Sequence, residues 1–413
     1  MKITLTNGQT KALDAFQTFL LDPVETVFVL SGYSGTGKTT LVKTLLEETP
    51  KFFKLAKMVD PLAPDFSIEL TATTNKAAEN FGSLTGAEVK TIHSFLGLRV
   101  MTNYETGVTT LTPKSHIKKE NVLLFIDEAS YVDKALLGWV FKLTTKCKIV
   151  FIGDPAQLTP VKSSGTPVFD ANFSGAHLDE VVRQAAGNPI VDLSTKFRET
   201  VTTGEFFNFT PDGHAIKYMS REDFNRAITD EFSRADWKYQ DSKVLAWTNK
   251  CVINYNHAVS DLVGGTPEFQ VGDYAVVNKF VSFRGTSLKT DQLVQITKIS
   301  PELHYHGVVG NEFTLDHYVT LFMPKNNVDK KVLLKQLKTN EQYAVLEEID
   351  TTWVDLRAAY ACTINKAQGS TYERVFIDLD DIRRCNSGDQ IARMLYVGVS
   401  RAKTTVFLTG DIA

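Results

Sequence analysis

The chain contains 413 residues, 43% of them hydrophobic and 23% charged, with a formal net charge of −3. This length predicts two or three domains, and no apolar run approaches the roughly 20 residues of a membrane-spanning helix. The balanced charge excludes a globally basic surface, so any contact with nucleic acid requires a local channel. The N-terminus lacks the apolar stretch of a signal peptide, and the four widely separated cysteines are typical of reduced thiols in a cytosolic protein.

The first predicted element is an amphipathic helix over residues 9–20, with Thr6 as its candidate N-cap. Gln9 lies at the start of this helix. Because a side-chain amide both donates and accepts hydrogen bonds, Gln9 is a candidate for contacting an adenine edge. The alternative is that Gln9 is simply solvated.

Residues 27–40 predict a strand, a phosphate-binding loop and the start of a helix. Residues 27–30 form a buried-strand pattern, and residues 32–39 (GYSGTGKT) match G-x-x-x-x-G-K-[ST] at every fixed position. The glycines let several backbone N–H groups point at one anion, while Lys38 would reach the β- and γ-phosphates and Thr39 would bind Mg²⁺. The candidate nucleotide-binding residues are Gly35, Thr36, Gly37, Lys38, Thr39 and Thr40. A nucleoside triphosphate with Mg²⁺ is therefore the expected ligand.

Two polar segments after the second predicted core strand are candidate contacts for a phosphate backbone. Thr73, Thr74 and Lys76 open a helix, where hydroxyls and helix-start N–H groups could hold phosphate. The same position suits an N-cap, and one role does not exclude the other. Thr91 and His93 follow; a single histidine is more often structural, so His93 gains weight only from its neighbours.

Two later strands end in polar residues that suit triphosphate chemistry. Residues 122–126 predict a buried strand that ends in Asp127 and Glu128. Two carboxylates at such a strand end are costly unless they bind a cation, so Asp127 would hold the Mg²⁺ and Glu128 would orient the attacking water. The next strand leads to Gln157 at the same sheet edge, where it could sense the γ-phosphate.

The second half of the chain begins another α/β pattern. Helices are predicted over residues 190–200 and 222–232, and residues 244–247 predict a strand that ends just before Thr248 and Asn249. A further core strand leads to a polar segment beginning at Thr363.

Two predicted insertions interrupt these α/β patterns. A β-hairpin is predicted over residues 99–111, around the turn sequence ETG. Short alternating segments separated by turn residues predict a small β-barrel over residues 264–350.

Taken in order, these segments resemble superfamily 1 helicases, and within them the RecD-like branch (1B), which moves 5′→3′ and includes small phage enzymes. The resemblance rests on eight motifs between Gln9 and Arg401. It implies two RecA-like parallel-sheet motor domains with ATP and Mg²⁺ in the cleft, and Arg183 and Arg401 as arginine fingers. The hairpin would split the duplex, and the barrel would be SH3-like. One departure is Asn365, where the family usually has histidine.

The resemblance also distributes roles along the chain. The implied catalytic residues are Lys38, Asp127, Glu128, Gln157, Arg183 and Arg401, and Gly369 joins Gln9 in the nucleotide site. The implied nucleic-acid contacts are Thr73, Thr74, Lys76, Thr91, His93, Thr248, Asn249, Thr363, Lys366, Gln368 and Ser370. The implied domains are 1A (1–98 and 112–183), 1B (99–111), 2A (184–263 and 351–413) and 2B (264–350).

The expected function is ATP-driven unwinding of DNA by a monomer, in phage replication or recombination within the host cytoplasm. The expected partners are single-stranded and forked DNA, with possible contacts to a single-strand-binding protein or replisome. An RNA helicase, a P-loop phosphotransferase and a non-catalytic clamp are the alternatives. The phosphotransferase leaves Glu128, Gln157, Arg401 and the second α/β pattern without a role. The presence of Lys38, Glu128 and Arg401 argues against the clamp.

Overall fold

A computed structural model describes residues 5–61, 63, 65–102, 109–159, 165–180, 187–266, 268–283 and 285–412. The chain forms two compact units, the first consisting of Met1–Met101 and Thr109–Phe206 and the second including Phe207–Ala413. The first unit therefore extends beyond residue 183, where the sequence predicted its end. Among the described residues, no helix is both long enough and apolar enough to cross a bilayer.

The first unit is a mixed α/β domain. Its strands are β1 (Val27–Gly32), β2 (Ser67–Ala72), β3 (Lys90–Thr91), β4 (Leu98–Thr102), β5 (Thr109–Pro113), β6 (Lys119–Glu120), β7 (Val122–Asp127), β8 (Thr144–Thr145), β9 (Lys148–Gly153) and β10 (Ser174–Leu178). Its helices are α1 (Asn7–Leu21), α2 (Lys38–Val59), α3 (Asn75–Thr85), α4 (Ile92–Phe95), α5 (Lys134–Leu143), α6 (Pro167–Asp170) and α7 (Pro189–Thr203), with a 3₁₀ turn at Ala129–Tyr131.

The main sheet of this unit has the strand order β10-β1-β9-β7-β2-β3, and its neighbouring strands run parallel. Both faces are buried, which is why the central strands are continuously apolar rather than alternating. Along β7, Leu123 and Phe125 pack in one core cluster, while Leu124 and Ile126 pack in the other. Parallel strands bring their carboxyl ends to one edge, and the candidate site residues lie at that edge.

The predicted hairpin region contains a small separate sheet. Strands β4 and β5 pair with each other, while residues 103–108, which carry the predicted turn, lie outside the described residues.

The second unit combines a parallel sheet with a β-rich segment. Its strands are β11 (Ile216–Tyr218), β12 (Ser242–Ala246), β13 (Tyr274–Val277), β14 (Val281–Phe283), β15 (Thr286–Leu288), β16 (Leu293–Ile299), β17 (Leu303–Tyr305), β18 (Val308–Leu315), β19 (Val319–Pro324), β20 (Leu356–Ala358), β21 (Ala361–Thr363), β22 (Tyr372–Asp378) and β23 (Ala402–Thr409). Its helices are α8 (Arg221–Phe232), α9 (Asn249–Gly264), α10 (Asn327–Thr339), α11 (Tyr343–Thr352), α12 (Ile364–Ala367), α13 (Leu379–Ile382) and α14 (Gly388–Val399).

The parallel sheet of the second unit has the order β11-β23-β22-β12-β21. Four of its strands, in the order β23-β22-β12-β21, repeat the strand order β9-β7-β2-β3 of the first unit. Helices α7 and α8 confirm the two helices predicted between the α/β patterns.

The β-rich segment, which consists of β13 to β20 with α10 and α11, differs in two ways from the barrel predicted over residues 264–350. Its main sheet is antiparallel in the order β17-β18-β16-β13-β20, with β19 pairing with β18, and it recruits β20 from beyond residue 350. In addition, α10 and α11 are helices, because Leu333, Leu337, Leu346 and Ile349 recur at helical spacing and pack in one cluster with Trp353.

Candidate nucleotide and nucleic-acid sites

The phosphate-binding loop lies between β1 and α2. Gly35 and Gly37 have φ values of 85° and 76°, a left-handed conformation that glycine adopts without strain. Gly32 could not carry a side chain, since a Cβ there would come within 2.8 Å of the Leu178 carbonyl oxygen. Thr36 is buried, and its Oγ1 donates to the Tyr33 carbonyl at 2.9 Å. The sequence thus encodes a curled loop that ends at a helix N-terminus.

Lys38 is folded onto this loop. Its Nζ donates to the carbonyl oxygens of Gly32 at 2.6 Å and of Tyr33 at 2.8 Å. Thr39 and Thr40 occupy the first turn of α2, where the helix dipole favours an anion. The loop therefore presents one ammonium group, a helix N-terminus and two hydroxyls in a form suited to a triphosphate.

Gln9 connects α1 to the loop. Its Oε1 accepts from the Thr6 backbone N–H at 3.1 Å, which completes a capping box, and its Nε2 donates to the Thr36 carbonyl at 3.3 Å. Only 3% of Gln9 is exposed. Both ends of the amide are thus engaged within the first unit, and its contact with adenine stays a prediction.

The adjacent strand end carries two carboxylates. Burial and then the neighbouring Glu128 charge raise the pKa of Asp127 to about 7, and Lys38 acts in the opposite direction. Glu128 has a left-handed backbone (φ 54°), and its carbonyl accepts from the Thr73 hydroxyl at 3.1 Å. A cation bound here would relieve the cost of ionising Asp127.

The residues at this edge fit Mg²⁺ as a companion of a nucleotide. The Asp127 carboxylate and the Thr39 hydroxyl are oxygen ligands of the type that Mg²⁺ prefers. Within the described ranges, no three His, Cys, Asp or Glu side chains cluster so as to hold a metal. Mg²⁺ would therefore take its remaining ligands from phosphate and water.

Gln157 lies beyond the end of β9, the strand between β1 and β7. Its backbone N–H donates to the Asp154 carbonyl at 3.2 Å, and the Ala156 N–H donates to Asp154 Oδ1 at 2.9 Å. This tight turn buries Gln157 at the same sheet edge as the phosphate loop.

Sequence reasoning missed a cluster of side chains around Tyr33 of the loop. The Arg198 guanidinium carbon lies 3.7 Å from the centre of the Tyr33 ring, and the His177 ring packs edge-on at 4.8 Å. His177 Nδ1 is also 2.9 Å from the Ser31 hydroxyl. The helical pattern that predicted α7 was visible, but nothing in it indicated that Arg198 reaches the loop.

In the first unit, the predicted nucleic-acid contacts lie at the carboxyl ends of β2 and β3. Thr74 and Thr91 are the N-caps of α3 and α4, accepting from backbone N–H groups at 3.1 and 3.2 Å. Lys76 pairs with Glu79 at 2.9 Å. Burial lowers the pKa of His93, although the Asp133 charge opposes this effect.

The second unit repeats this arrangement. Thr248 and Thr363 are the N-caps of α9 and α12. Thr363 pairs with Ala246 on the adjacent strand, as Thr91 pairs with Ala72 in the first unit. Each unit therefore presents two N-capped helices from neighbouring strand ends.

Several predicted contacts of the second unit have partners within the protein. The Thr248 hydroxyl accepts from the Cys251 N–H and donates to Asp381 Oδ1 at 2.7 Å, so the one hydrogen that it could donate to a phosphate is already engaged. Asn249 Oδ1 accepts from Arg357 at 2.9 Å. Lys366 donates to two side chains of the β-rich segment.

The two predicted arginine fingers differ in what the structure describes. Arg401 is only 5% exposed, and its guanidinium donates to the Val397 carbonyl, the Ser370 carbonyl and the Ser400 hydroxyl. Arg183 lies outside the described residues. Two further predicted residues lie between α12 and β22: Gln368, which is buried, and Gly369, which has a φ of 79°.

Comparisons with known proteins match most of the chain. The family model described as "AAA domain" matches residues 4–221, and the model described as "UvrD-like helicase C-terminal domain" matches residues 358–409. The ATP-dependent DNA helicase Dda of Enterobacteria phage T4 is 24% identical, over 98% of this chain and 98% of its own length.

A second relative is similar in part of its sequence, and a solved structure is similar in fold. The ATP-dependent RecD2 DNA helicase of Deinococcus radiodurans is 30% identical over 45% of this chain and 24% of its own length. The crystal structure of Pif1 helicase from Bacteroides in complex with ADP-AlF3 and ssDNA matches with a TM-score of 0.51 and 16% identity, over 100% of this chain and 94% of that one. This likeness concerns the fold, a two-domain α/β architecture with parallel sheets.

Proposed function

Because the chain belongs to the AAA domain family and is an ATP-hydrolysing DNA helicase of superfamily 1B related to Dda, we propose that it moves 5′→3′ along single-stranded DNA and unwinds forked duplexes. The observation that supports this proposal most is the repeated pair of strand ends, Ala72 with Thr91 and Ala246 with Thr363. One such pair in each unit supplies two separate grips on a strand, while the phosphate loop belongs to the first unit.

ATP hydrolysis would use the carboxyl edge of the first sheet. Lys38 would leave the loop carbonyls for the β- and γ-phosphates, and Thr39 and Asp127 would hold Mg²⁺, which neutralises phosphate charge when bound. Glu128 would orient and deprotonate the attacking water, and Gln157 would contact the γ-phosphate.

The remaining nucleotide contacts follow from the same edge. Backbone N–H groups of residues 35–40 would surround the phosphates, and Gln9 would contact adenine. Arg183 and Arg401 would supply positive charge to the transition state, with Gly369 close to the nucleotide. For Arg401 this requires release from the Val397 and Ser370 carbonyls.

The strand grips consist mainly of hydroxyl, amide and backbone groups, which bind phosphate without regard to base sequence. In the first unit we assign them to Thr73, Thr74, Lys76, Thr91 and His93. In the second unit we assign them to Thr248, Asn249, Thr363, Lys366, Gln368 and Ser370. Thr248 would contribute through its position at the start of α9, because Asp381 already holds its hydroxyl.

The two insertions would act on the duplex and not on ATP. We propose that the region of β4 and β5 forms the pin that separates the strands, and that the β-rich segment is SH3-like. Removing residues 103–108 should impair unwinding but spare DNA-stimulated ATP hydrolysis. A parallel loss of both activities would place this region in the motor itself.

The biological setting is part of the same proposal. Dda is a phage enzyme, and we propose a role for this chain in phage replication or recombination within the host cytoplasm. It would act as a monomer with ATP and Mg²⁺, on forks that a single-strand-binding protein or replisome also contacts.

Strand displacement on forked substrates tests the proposal. The duplexes carry only a 5′ tail, only a 3′ tail, or a 5′ tail made of RNA, and Lys38→Ala serves as the inactive control. We expect ATP-dependent displacement from the 5′ DNA tail alone. Displacement from the 3′ tail alone would reverse the assigned direction, and a preference for the RNA tail would favour an RNA helicase.

A further inference from the structure

The β-rich segment places a carboxylate on one of the proposed nucleic-acid contacts. Lys366 lies on α12, and its Nζ donates to Oδ1 of Asp291 and to Oδ1 of Asn278, each at 2.8 Å. These partners are 75 and 88 residues away in the sequence. Two of the three ammonium donors of Lys366 are therefore held by the β-rich segment.

The backbone at Asp291 is fixed by the fold. Asp291 has a φ of 65°, a left-handed conformation that aspartate and asparagine tolerate better than most residues. Its N–H donates to the Val277 carbonyl at 2.8 Å, which ties this turn to the end of β13. The carboxylate is thus presented to Lys366 from an ordered turn and not from a freely moving chain.

Further hydrogen bonds and an ion pair connect Lys366 to Asn249, a second residue proposed to contact nucleic acid. Asn278 Nδ2 donates to Asp355 Oδ2 at 2.6 Å, and the Arg357 guanidinium lies 3.8 Å from the same carboxylate. Arg357 also donates to Asn249 Oδ1 at 2.9 Å. A chain of polar side chains therefore joins the start of α12 to the start of α9.

The formal charges of the side chains that form this hydrogen-bonded series cancel. Lys366 and Arg357 are positive, whereas Asp291 and Asp355 are negative. A phosphate that approaches this edge therefore meets cations that the protein has already neutralised, so the local attraction depends on whether the carboxylates stay in place.

We propose that Asp291 competes with the nucleic-acid backbone for Lys366, so that the second unit grips a strand by exchanging a carboxylate for a phosphate. This inference rests on the proposed strand contact at Lys366. The side chains of Lys366 and Asp291 are 31% and 33% exposed, and partly exposed pairs of this kind are weak enough for a phosphate to displace. A contact that is replaced and not simply lost allows the grip to be released at each step of movement.

The test measures the Kd for a fluorescent oligo-dT by anisotropy, with the full chain and no nucleotide. Asp291→Asn keeps a residue that tolerates the left-handed backbone, and Asp291→Gly removes the side chain at a conformation that glycine accepts. Asp261→Asn is the matched control, because it removes the same charge from an exposed position on α9 that has no assigned role. We expect both Asp291 variants to bind about threefold more tightly than the control.

The same substitutions are repeated with Lys366→Met, which should weaken binding by itself and abolish the gain from Asp291→Asn. The inference is overturned if the Asp291 variants bind no more tightly than Asp261→Asn, or if their gain persists with Lys366→Met. Strand displacement by the wild-type chain separates this failure from that of the proposed function. Normal wild-type unwinding with no effect at Asp291 overturns the inference alone, whereas absence of wild-type unwinding overturns the proposed function.

Discussion

The two parallel sheets each carry an aspartate at a corresponding strand end, but the pKa of this aspartate is raised in the first unit and lowered in the second. In the first unit, β7 lies beside β2 and ends at Asp127, which pairs with Ala72. In the second unit, β22 lies beside β12 and ends at Asp378, the residue after the Ile377–Leu245 pair. The two carboxylates therefore occupy the same place in the repeated arrangement of strands.

The protein neutralises Asp378 with its own side chains. Arg221 donates to both carboxylate oxygens at 2.8 Å, and the Tyr255 hydroxyl donates at 2.7 Å. Burial by itself would raise the pKa of Asp378, but these hydrogen bonds and the Arg221 charge hold it below its usual value.

Among the described residues no arginine neutralises Asp127 in this way, and its pKa is raised to about 7 because burial and the Glu128 charge outweigh the Lys38 charge. From this difference we propose that Asp378 is structural and that Asp127 binds a ligand. A buried carboxylate with a raised pKa is a candidate functional group, since a bound cation can supply the positive charge that neutralises it.

The largest expected effect comes from removing the loop cation of the first unit. Lys38→Ala should lower the kcat of ATP hydrolysis by at least about 1,000-fold, because no other loop residue supplies positive charge to the phosphates. Steady-state hydrolysis with saturating single-stranded DNA measures this. Lys43→Ala, at an exposed position on the same helix, is the control. Near wild-type turnover in a folded Lys38→Ala protein would remove Lys38 from the catalytic site.

A slightly smaller effect is expected from Glu128→Gln, which should reduce hydrolysis by about 100- to 1,000-fold while ATP still binds. An amide keeps the shape of the carboxylate but cannot accept the proton of the attacking water. Equilibrium binding of ATP and single-turnover hydrolysis separate the two properties, with Glu120→Gln as an exposed control. If hydrolysis is undiminished, Glu128 is not the base.

In the second unit, Arg221→Met should lower the free energy of unfolding by about 2 kcal/mol, since it leaves Asp378 buried without its cation. This figure is reduced from that of a fully buried pair, because 40% of the Arg221 side chain is exposed. Denaturant unfolding measures the loss. Arg226→Met, on the same helix but in more exposed ion pairs, should change stability little. Equal losses in both variants would contradict a specific role for the Asp378 pair.

The smallest effect is the pH dependence of that loss. Because the pKa of Asp378 is lowered in the folded state, its pair stabilises the protein above the unfolded value of about 3.9 and ceases to do so as the pH falls through the folded value. The difference between wild type and Arg221→Met should therefore be greatest near neutral pH and shrink below about pH 4. A difference that stays constant with pH would show that lost packing, and not charge, causes it.

The sequence predicted local features well. The phosphate loop was recognisable because its strand, glycines and helix are adjacent in the chain, and Thr74 was recognisable as a candidate N-cap for the same reason. Features that depend on distant residues were not predictable. Arg221 meets Asp378 across 157 residues, and Lys366 meets Asp291 across 75, and no local pattern marks either pair.

The β-rich segment shows a different limit of sequence reasoning. Turn residues and short alternating runs predicted its strands, but the same preference for a barrel concealed α10 and α11. The helical spacing of Leu333 and Leu337, and of Leu346 and Ile349, is visible in the sequence, but each pair spans only one turn. The cluster that joins the two helices to Trp353 depends on residues that no local pattern connects.

One paired measurement tests the comparison most directly: ATP hydrolysis and the Tm for Asp127→Asn and Asp378→Asn. We predict that Asp127→Asn loses DNA-stimulated hydrolysis while keeping or raising the Tm, because the substitution removes a buried carboxylate whose pKa is raised in the folded protein. Asp378→Asn should lower the Tm and hydrolyse ATP normally per folded molecule. Hydrolysis at the wild-type rate by Asp127→Asn would contradict a functional role for Asp127. An unchanged Tm together with lost hydrolysis in Asp378→Asn would contradict a structural role for Asp378.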